Sequence, residues 1–272
     1  MSALPILGCA MELHNLEKMT PWILEKNRDL EIQDGYHAFV LDKTADKVAD
    51  RVKELLGTSY TGRLGLHGPF YGFDLDSIDP AIRKVVKMRL EQALRMAHRM
   101  GATQMVLHSP LTLWDRDNML HMGYEAGKIA LVEDTLSDAI KMAEDFGVTI
   151  VLENIQDIDP TWRVRLIEAL GSERIRTSID TGHAHYMHGR FGAPHVVDYI
   201  KSAGDMLEHV HLQDTDGSAD RHWGIGEGQL PWFPIFEALG KLNSNPRLIM
   251  EPMDVPAAPR HAAWAEAQGL AR

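Results

Sequence analysis

The sequence predicts an α/β protein with a closed (β/α)8 TIM-barrel fold, and three observations carry this prediction. Short apolar runs alternate with longer segments of helical spacing along the whole chain. Eight strand–helix units in 272 residues match the usual size of this barrel. No linker, charge block or internal repeat divides the chain, so we expect a single domain over residues 1–272. A doubly wound open sheet remains an alternative, because strand order cannot be read from the sequence.

Eight short apolar runs are the predicted strands. Each lies between longer, more polar segments, which favours a strand over a helix. In chain order they cover residues 4–10, 30–33, 64–67, 104–108, 149–153, 177–180, 207–214 and 248–251. The second run is the weakest of the eight.

Helices are predicted between the runs. Apolar residues recur at spacings of three and four over 82–96 and again over 129–142, which predicts one buried face on each helix. Gly147 follows the second of these segments and is a typical helix stop. Asp79–Pro80 and Asp159–Pro160 are N-cap and first-turn pairs that should open helices.

Composition and charge narrow the functional classes. With 44% hydrophobic and 25% charged residues, the chain is ordinary for a globular protein with a large core. The net charge of −11 disfavours nucleic acid or an anionic membrane as a partner, although it leaves room for a local basic groove. Cys9 is the single cysteine, which excludes an internal disulfide and favours a reducing, cytoplasmic location. Residues 1–11 lack the basic start of a signal peptide, and no stretch is long enough to span a bilayer.

Histidines and carboxylates follow six successive runs at their carboxyl ends. In a barrel of parallel strands these ends meet at one face, so residues far apart in the sequence would converge. Such side chains are costly to bury unless they are paired or bind a metal. The sequence therefore predicts a metal site. Its candidate ligands are His67, His108, Glu153, Asp180, His183, His211, Asp220, His222 and Glu251.

Three segments carry a family resemblance. They are Ser-Ile-Asp-Thr-Gly-His at 178–183, His-Leu-Gln-Asp at 211–214 and Asp-Arg-His-Trp-Gly-Ile-Gly-Glu-Gly at 220–228. With them the chain resembles the xylose-isomerase-like TIM barrels. That superfamily joins sugar and sugar-phosphate isomerases and epimerases with the endonuclease IV group of DNA-repair enzymes.

The resemblance implies a metal-dependent isomerase or epimerase that acts on a sugar or sugar phosphate. A single divalent ion (Mn, Co or Mg) would bind Glu153, Asp180, His211 and Glu251. Glu153 and Glu251 would also be catalytic, because in the epimerases such glutamates move the proton next to the carbonyl. Substrate oxygens would be held by His183 and Arg221, and Trp223 could stack on the sugar ring. A surface salt bridge is an equally good explanation of Arg221.

An endonuclease IV-like phosphodiesterase acting on abasic-site DNA is the alternative. It would use up to three zinc ions, because all nine candidate ligands are of the right type. Other features weigh against it. The first run ends in Gly-Cys-Ala-Met-Glu at 8–12 rather than His-Val-Ser, two acids follow Glu153 within 155–159, and the early loops are acidic. A metal- or sugar-binding barrel without catalytic activity is a third alternative, which the intact Glu153 and Glu251 disfavour.

Two further expectations concern His209 and the assembly. Because His209 alternates with His211, we expect it on the opposite side of the strand and leave it out of the site. The oligomeric state stays open, with a homo-oligomer among the alternatives.

Overall fold

The computed structural model describes residues 4–272, and a closed barrel of eight parallel strands forms its centre. The strands are β1 Gly8–Met11, β2 Leu30–Ile32, β3 Leu64–His67, β4 Gln104–His108, β5 Thr149–Glu153, β6 Ile175–Asp180, β7 Leu207–Leu212 and β8 Arg247–Met250. Each strand pairs with the next in chain order, and β8 pairs with β1. The predicted barrel is confirmed, and the open sheet is wrong.

Helices surround the strands on the outside, as predicted. They are α1 Leu13–Glu25, α2 Ala38–Lys43, α3 Ala45–Leu56, α4 Pro80–Met100, α5 Leu113–Asn118, α6 Tyr124–Phe146, α7 Pro160–Leu170, α8 Thr181–Phe191, α9 Val196–Ala203, α10 Trp232–Leu239 and α11 Ala258–Ala267. Short 3-10 turns cover Asp34–Tyr36, Gly204–Met206 and Val255–Ala257. Among residues 4–272, none of the helices is long and apolar enough to cross a membrane.

The helix boundaries follow from local chemistry. Asp79 caps α4 by accepting the backbone N–H of Ala81 at 2.7 Å, and Asp159 caps α7 in the same way. The proline after each aspartate costs no hydrogen bond at the first helical position. Gly147 ends α6 with a φ of 68°, a left-handed conformation that glycine adopts without steric cost. These predictions are confirmed.

The first strand differs from its prediction. We expected a strand over 4–10, but β1 begins at Gly8, and residues 1–3 before that run lie outside the described part. The carbonyls of Leu4 and Pro5 accept hydrogen bonds from Arg272 instead of a neighbouring strand. Arg272 therefore takes the place of a pairing strand at Leu4 and Pro5, and β1 is shorter than predicted.

The seventh run ends earlier than predicted because Asp214 serves the following loop. Its backbone pairs with Trp223, and its buried carboxylate accepts the backbone N–H groups of Gly226 and Leu230 and the indole N–H of Trp232 at 2.8 to 3.1 Å. The loop between β7 and α10 is thereby folded around one carboxylate. The folded loop holds its two candidate ligands, Asp220 and His222, in a defined position.

The register of neighbouring strands places the polar residues side by side. His108 on β4 lies opposite Glu153 on β5, and Asp180 on β6 lies opposite His211 on β7. β8 ends one residue before Glu251, whose N–H donates to the carbonyl of Leu212. The strand ladder itself therefore brings these side chains to one mouth of the barrel.

Candidate metal centre

The carboxyl ends of the strands open into a cavity of about 680 Å³. Polar and aromatic side chains line most of it, together with a few apolar ones. They are Glu12, His14, Asn15, Gln33, Tyr36, His67, Phe70, Tyr71, His108, Glu153, Ile155, His183, Asp220, His222, Glu251, Pro252, Met253 and Val255. Seven of the nine candidate ligands are among these residues, and the other two, Asp180 and His211, are buried in contact with them.

The nine candidate ligands fall into three adjoining groups. Within each group the ligand atoms lie within 4.8 Å of one another. The groups are His67 with His108 and Glu153, Asp180 with His211 and Glu251, and His183 with Asp220 and His222. The structure thus brings together all nine residues that the sequence suggested.

The second of these groups together with Glu153 forms the central group, whose carboxylates lie around one ring nitrogen. Nδ1 of His211 is 3.1 Å from Oε2 of Glu153 and 3.4 Å from Oε2 of Glu251. Within residues 4–272, the buried atoms Glu153 Oε2, Asp180 Oδ2 and His211 Nδ1 have no hydrogen-bond partner of acceptable geometry. Buried polar atoms are nearly always satisfied, so three such atoms around one point suit a bound cation.

Backbone contacts fix which nitrogen most of the site histidines present. In His67, His183 and His222 the Nδ1–H group donates to a carbonyl oxygen, since a carbonyl can only accept. Nε2 is then the nitrogen turned toward a neighbouring carboxylate, which is Glu153 at 3.7 Å for His67 and Asp220 at 3.3 Å for both His183 and His222. The pairs are His67 with Gly68 at 2.9 Å, His183 with Asn154 at 3.0 Å, and His222 with Glu251 at 3.1 Å.

His211 is oriented differently, by a carboxylate. Its Nε2 lies 2.9 Å from Oε1 of Glu31 on β2, so Nδ1 is the nitrogen that faces Glu153. Glu31 was missing from the predicted site. His209 also contacts Glu31, with Nε2 3.1 Å from Oε2. Our expectation for His209 was wrong, because residues two apart on a strand share the same side. His209 and His211 both point into the barrel.

Asn154 and Asp180 lock the ends of β5 and β6 together. The side chain of Asn154 accepts the N–H of Asp180 at 2.9 Å and donates to its carbonyl at 3.1 Å. Oδ1 of Asp180 accepts the N–H of His183 at 2.6 Å and so caps α8. One carboxylate oxygen is used for the cap, and the other remains free for a ligand.

The carboxylates of the site strongly perturb its histidines. Burial lowers the pKa of His211, but nearby carboxylates, Glu251 first, outweigh it and raise that pKa well above the usual range. Burial also lowers the pKa of His222, yet Asp220 and its neighbours raise it to about 9. His108, with weaker support from carboxylates, has its pKa lowered to about 3 by burial. The carboxylates therefore favour the protonated, positively charged form of His211 and His222. A divalent cation at the centre could supply this positive charge in place of the protons.

Gln213 supports the outer group of ligands, and the sequence did not single it out. Its Nε2 donates to Asp220 at 2.9 Å, and its Oε1 accepts the backbone N–H of His222 at 2.9 Å. His222 has a φ of 49°, which is uncommon for a residue with a side chain. The buried amide of Gln213 therefore holds the loop in the shape that presents both ligands.

Arg221 and Trp223 stand apart from the nine ligands. The guanidinium of Arg221 lies 3.3 Å from Asp216 and 3.1 Å from Ser218, and 5.5 Å from the centre of the Trp223 ring. Neither side chain lines the cavity. The structure thus does not bring these two predicted substrate contacts together with the metal centre.

The chain is similar to several known proteins. The chain is 26% identical over 196 residues to D-psicose 3-epimerase of Agrobacterium fabrum, covering 68% of this chain and 62% of that enzyme. A D-tagatose 3-epimerase-like protein superimposes with a TM-score of 0.77 at 21% identity over 97% of both chains. A Thermus thermophilus protein, whose crystals were soaked with zinc chloride, gives 0.75 at 23% identity over 97% of this chain and 99% of that one.

The two structural likenesses show the fold alone, since their identities are low. A family model extends further along the sequence. It covers residues 30–272, which include seven of the eight strands and all nine candidate ligands. The chain therefore belongs to the xylose isomerase-like TIM barrel family.

Proposed function

We propose that this protein is a divalent-metal-dependent sugar epimerase or isomerase that moves a proton next to a carbonyl. One observation carries the proposal. Glu153 and Glu251, from β5 and β8, both place an oxygen within 3.4 Å of Nδ1 of His211, at the floor of the cavity. Two carboxylates beside one cation site are the groups that such a reaction needs.

The residues present fit a divalent cation. Glu153, Asp180, His211 and Glu251 would hold it, through three oxygens and one imidazole nitrogen. Three of these four residues have a buried ligand atom without a hydrogen-bond partner among the described residues. This mixed set suits Mn, Co or Mg, and the histidine-rich groups on either side would suit Zn.

Bound there, the cation would polarise a substrate carbonyl and acidify the neighbouring C–H bond. The protein's own part is proton transfer. Burial raises the pKa of Glu153, but its three histidine neighbours outweigh it and hold that pKa well below the usual range. Glu153 is thus ionised, the state that a metal ligand and a general base both require. Gln33 donates to Oε1 of Glu251 at 2.6 Å, which fixes the second carboxylate. If one glutamate removes the proton and the other returns one to the opposite face, the carbon is inverted.

The cavity favours a sugar without a phosphate group. Of the residues that line it, four are carboxylates and none is lysine or arginine. Arg221 is next to the candidate ligands Asp220 and His222 in the sequence. Its side chain contacts Asp216 and Ser218 and does not line the cavity. A phosphate dianion would meet these carboxylates without a lysine or arginine to pair with. We infer a free ketose as the substrate class.

The curated relative supports this proposal without deciding it. D-psicose 3-epimerase acts on a sugar, and the matched segment covers 62% of that enzyme. Activity and substrate therefore need a direct test. Protein stripped of metal and reloaded with Mn²⁺, Co²⁺ or Mg²⁺ should epimerise D-psicose or D-fructose. In D2O the inverted carbon should gain deuterium. Fructose 6-phosphate is the matched anionic probe and should react poorly. Loss of metal dependence, or faster turnover of the phosphate, would contradict the proposal.

A zinc-dependent phosphodiesterase is the second candidate, because the two outer ligand groups are fully formed. His67 and His108 join Glu153, while His183 joins Asp220 and His222, each within the same 4.8 Å limit. Incubation of the zinc-loaded protein with abasic-site DNA decides between the two. We expect no cleavage, since lysine and arginine are missing from the residues that line the cavity.

A further inference from the structure

Glu31 lies in the barrel interior between two histidines of β7. Its Oε1 is 2.9 Å from Nε2 of His211, and its Oε2 is 3.1 Å from Nε2 of His209. The residue is 1% exposed and both rings are equally buried, so solvent does not compete for these contacts. A buried carboxylate in such a place is costly unless it has a defined partner.

A second contact orients the ring of His209 through its other nitrogen. Oγ of Ser178 is 2.8 Å from Nδ1 of His209, and the two residues are opposite each other in the β6–β7 ladder. With Nδ1 engaged by the hydroxyl, Nε2 of His209 lies 3.1 Å from Oε2 of Glu31, in an ion-pair contact that lacks hydrogen-bond geometry. A continuous buried row therefore runs from Ser178 through His209 and Glu31 to His211.

Among the site histidines, His211 is the one whose second nitrogen contacts a carboxylate outside the ligand set. His67, His183 and His222 are oriented by backbone carbonyls and present Nε2. His211 instead presents Nδ1, at the centre of the four proposed ligands. A carboxylate on the opposite nitrogen fixes the ring and makes the facing nitrogen a stronger ligand.

We propose that Glu31 is a positioning residue for the metal centre. It accepts the Nε2–H of His211 and so directs the Nδ1 lone pair of that ring toward Glu153, Asp180 and Glu251. His209 and Ser178 keep the carboxylate in place. This inference rests on the proposed function in one respect, the presence of a divalent cation among those ligands.

The test is a metal titration of Glu31→Gln, which keeps the shape of the side chain and removes its charge. Mn²⁺ is added to chelator-stripped protein and followed by calorimetry. We expect the dissociation constant to rise about 10- to 100-fold with an unchanged circular dichroism spectrum. Ile179→Val is the matched control, because Ile179 is equally buried on β6 but lies between Ser178 and Asp180 and so on the other side of the strand. Its dissociation constant should equal that of the wild type.

A spectroscopic measurement covers the case in which Glu31→Gln does not fold. In the Zn²⁺-loaded wild type, ¹⁵N-histidine NMR should show His211 protonated at Nε2, with that proton in a hydrogen bond. A proton on Nδ1 of His211 would overturn the inference, as would equal Mn²⁺ affinity of a folded Glu31→Gln variant. If the wild type binds no divalent ion at all, the proposed function fails and the role of Glu31 fails with it.

Discussion

Gln33 Nε2 and Glu251 Oε1 are 2.6 Å apart, so one oxygen of this proposed catalytic carboxylate is held while the other faces His211. The contact joins β2 to the end of β8 across the β1 strand. Gln33→Leu should leave Glu251 free to rotate. We expect turnover of a ketose to fall about 10-fold with little change in metal affinity, measured by steady-state kinetics and Mn²⁺ titration. Equal turnover would show that Gln33 has no positioning role.

Glu153→Gln and Glu251→Gln should each lower turnover by about 100- to 10,000-fold, because each removes a proton-transfer group and weakens a metal ligand. The measurement is the rate of ketose epimerisation with saturating metal. Glu168→Gln is the matched control, since Glu168 is an exposed residue on α7. Near-wild-type turnover by either site variant would refute the assignment.

His222→Ala separates the two proposed chemistries. If the central group alone is catalytic, the variant should keep one tightly bound metal ion and measurable ketose activity. If three ions are needed, loss of one ligand of the outer group should abolish activity altogether. Metal content per chain by mass spectrometry checks the first part. His98→Ala, on the exposed side of α4, should leave metal content unchanged.

Removal of the metal should lower thermal stability. Without a cation, the carboxylates around Glu153 and Asp180 face one another in a buried site, and burial raises the pKa of Asp180 to about 6. A cation present at about 1,000 times its dissociation constant stabilises the fold by roughly 4 kcal/mol. We expect the melting temperature to drop by roughly 10 °C after chelation and to recover on adding Mn²⁺. An unchanged melting temperature would argue against a central site of that affinity.

Asp214→Asn tests the support of the loop that carries Asp220 and His222. The amide can accept at one oxygen only, so at least one of the groups that donate to Asp214 from that loop and from α10 loses its partner. We expect a loss of about 3 kcal/mol in the free energy of unfolding, measured by urea denaturation. Gln229→Glu, at an exposed position of the same loop, should have little effect.

The barrel and the convergence of the nine candidate ligands could be predicted because both depend on one simple rule. Parallel strands end at the same face, so a histidine such as His67 and a carboxylate such as Glu251 converge whatever the loops do. Glu31 escaped prediction because the second run is short and its glutamate resembles a solvent-facing residue. A strand inside a fully parallel barrel has no solvent face, and that fact would have marked Glu31 as buried.

Arg221 and Gln213 were harder to place, because their roles depend on the shape of one loop. Arg221 contacts Asp216 and Ser218, which lie a few residues earlier in the same loop. No spacing rule predicts the loop conformation that brings them together. Gln213 looked like an ordinary polar residue at the end of a run. Its amide contacts Asp220 and His222 only because the loop folds back over β7.

The pairing of Asn154 with the backbone of Asp180 has a consequence for ion selectivity. It fastens the ends of two strands, and three of the four central ligands lie at the ends of β5, β6 and β7 rather than on mobile loops. The hydrogen bonds between the strands therefore limit the distances between these ligand residues. Calcium prefers six to eight oxygens in a shell that can expand, whereas smaller ions accept a tight, mixed nitrogen and oxygen set. We therefore expect the central site to bind Mn²⁺ more tightly than Ca²⁺, because the strand ends limit how far the ligands can move apart.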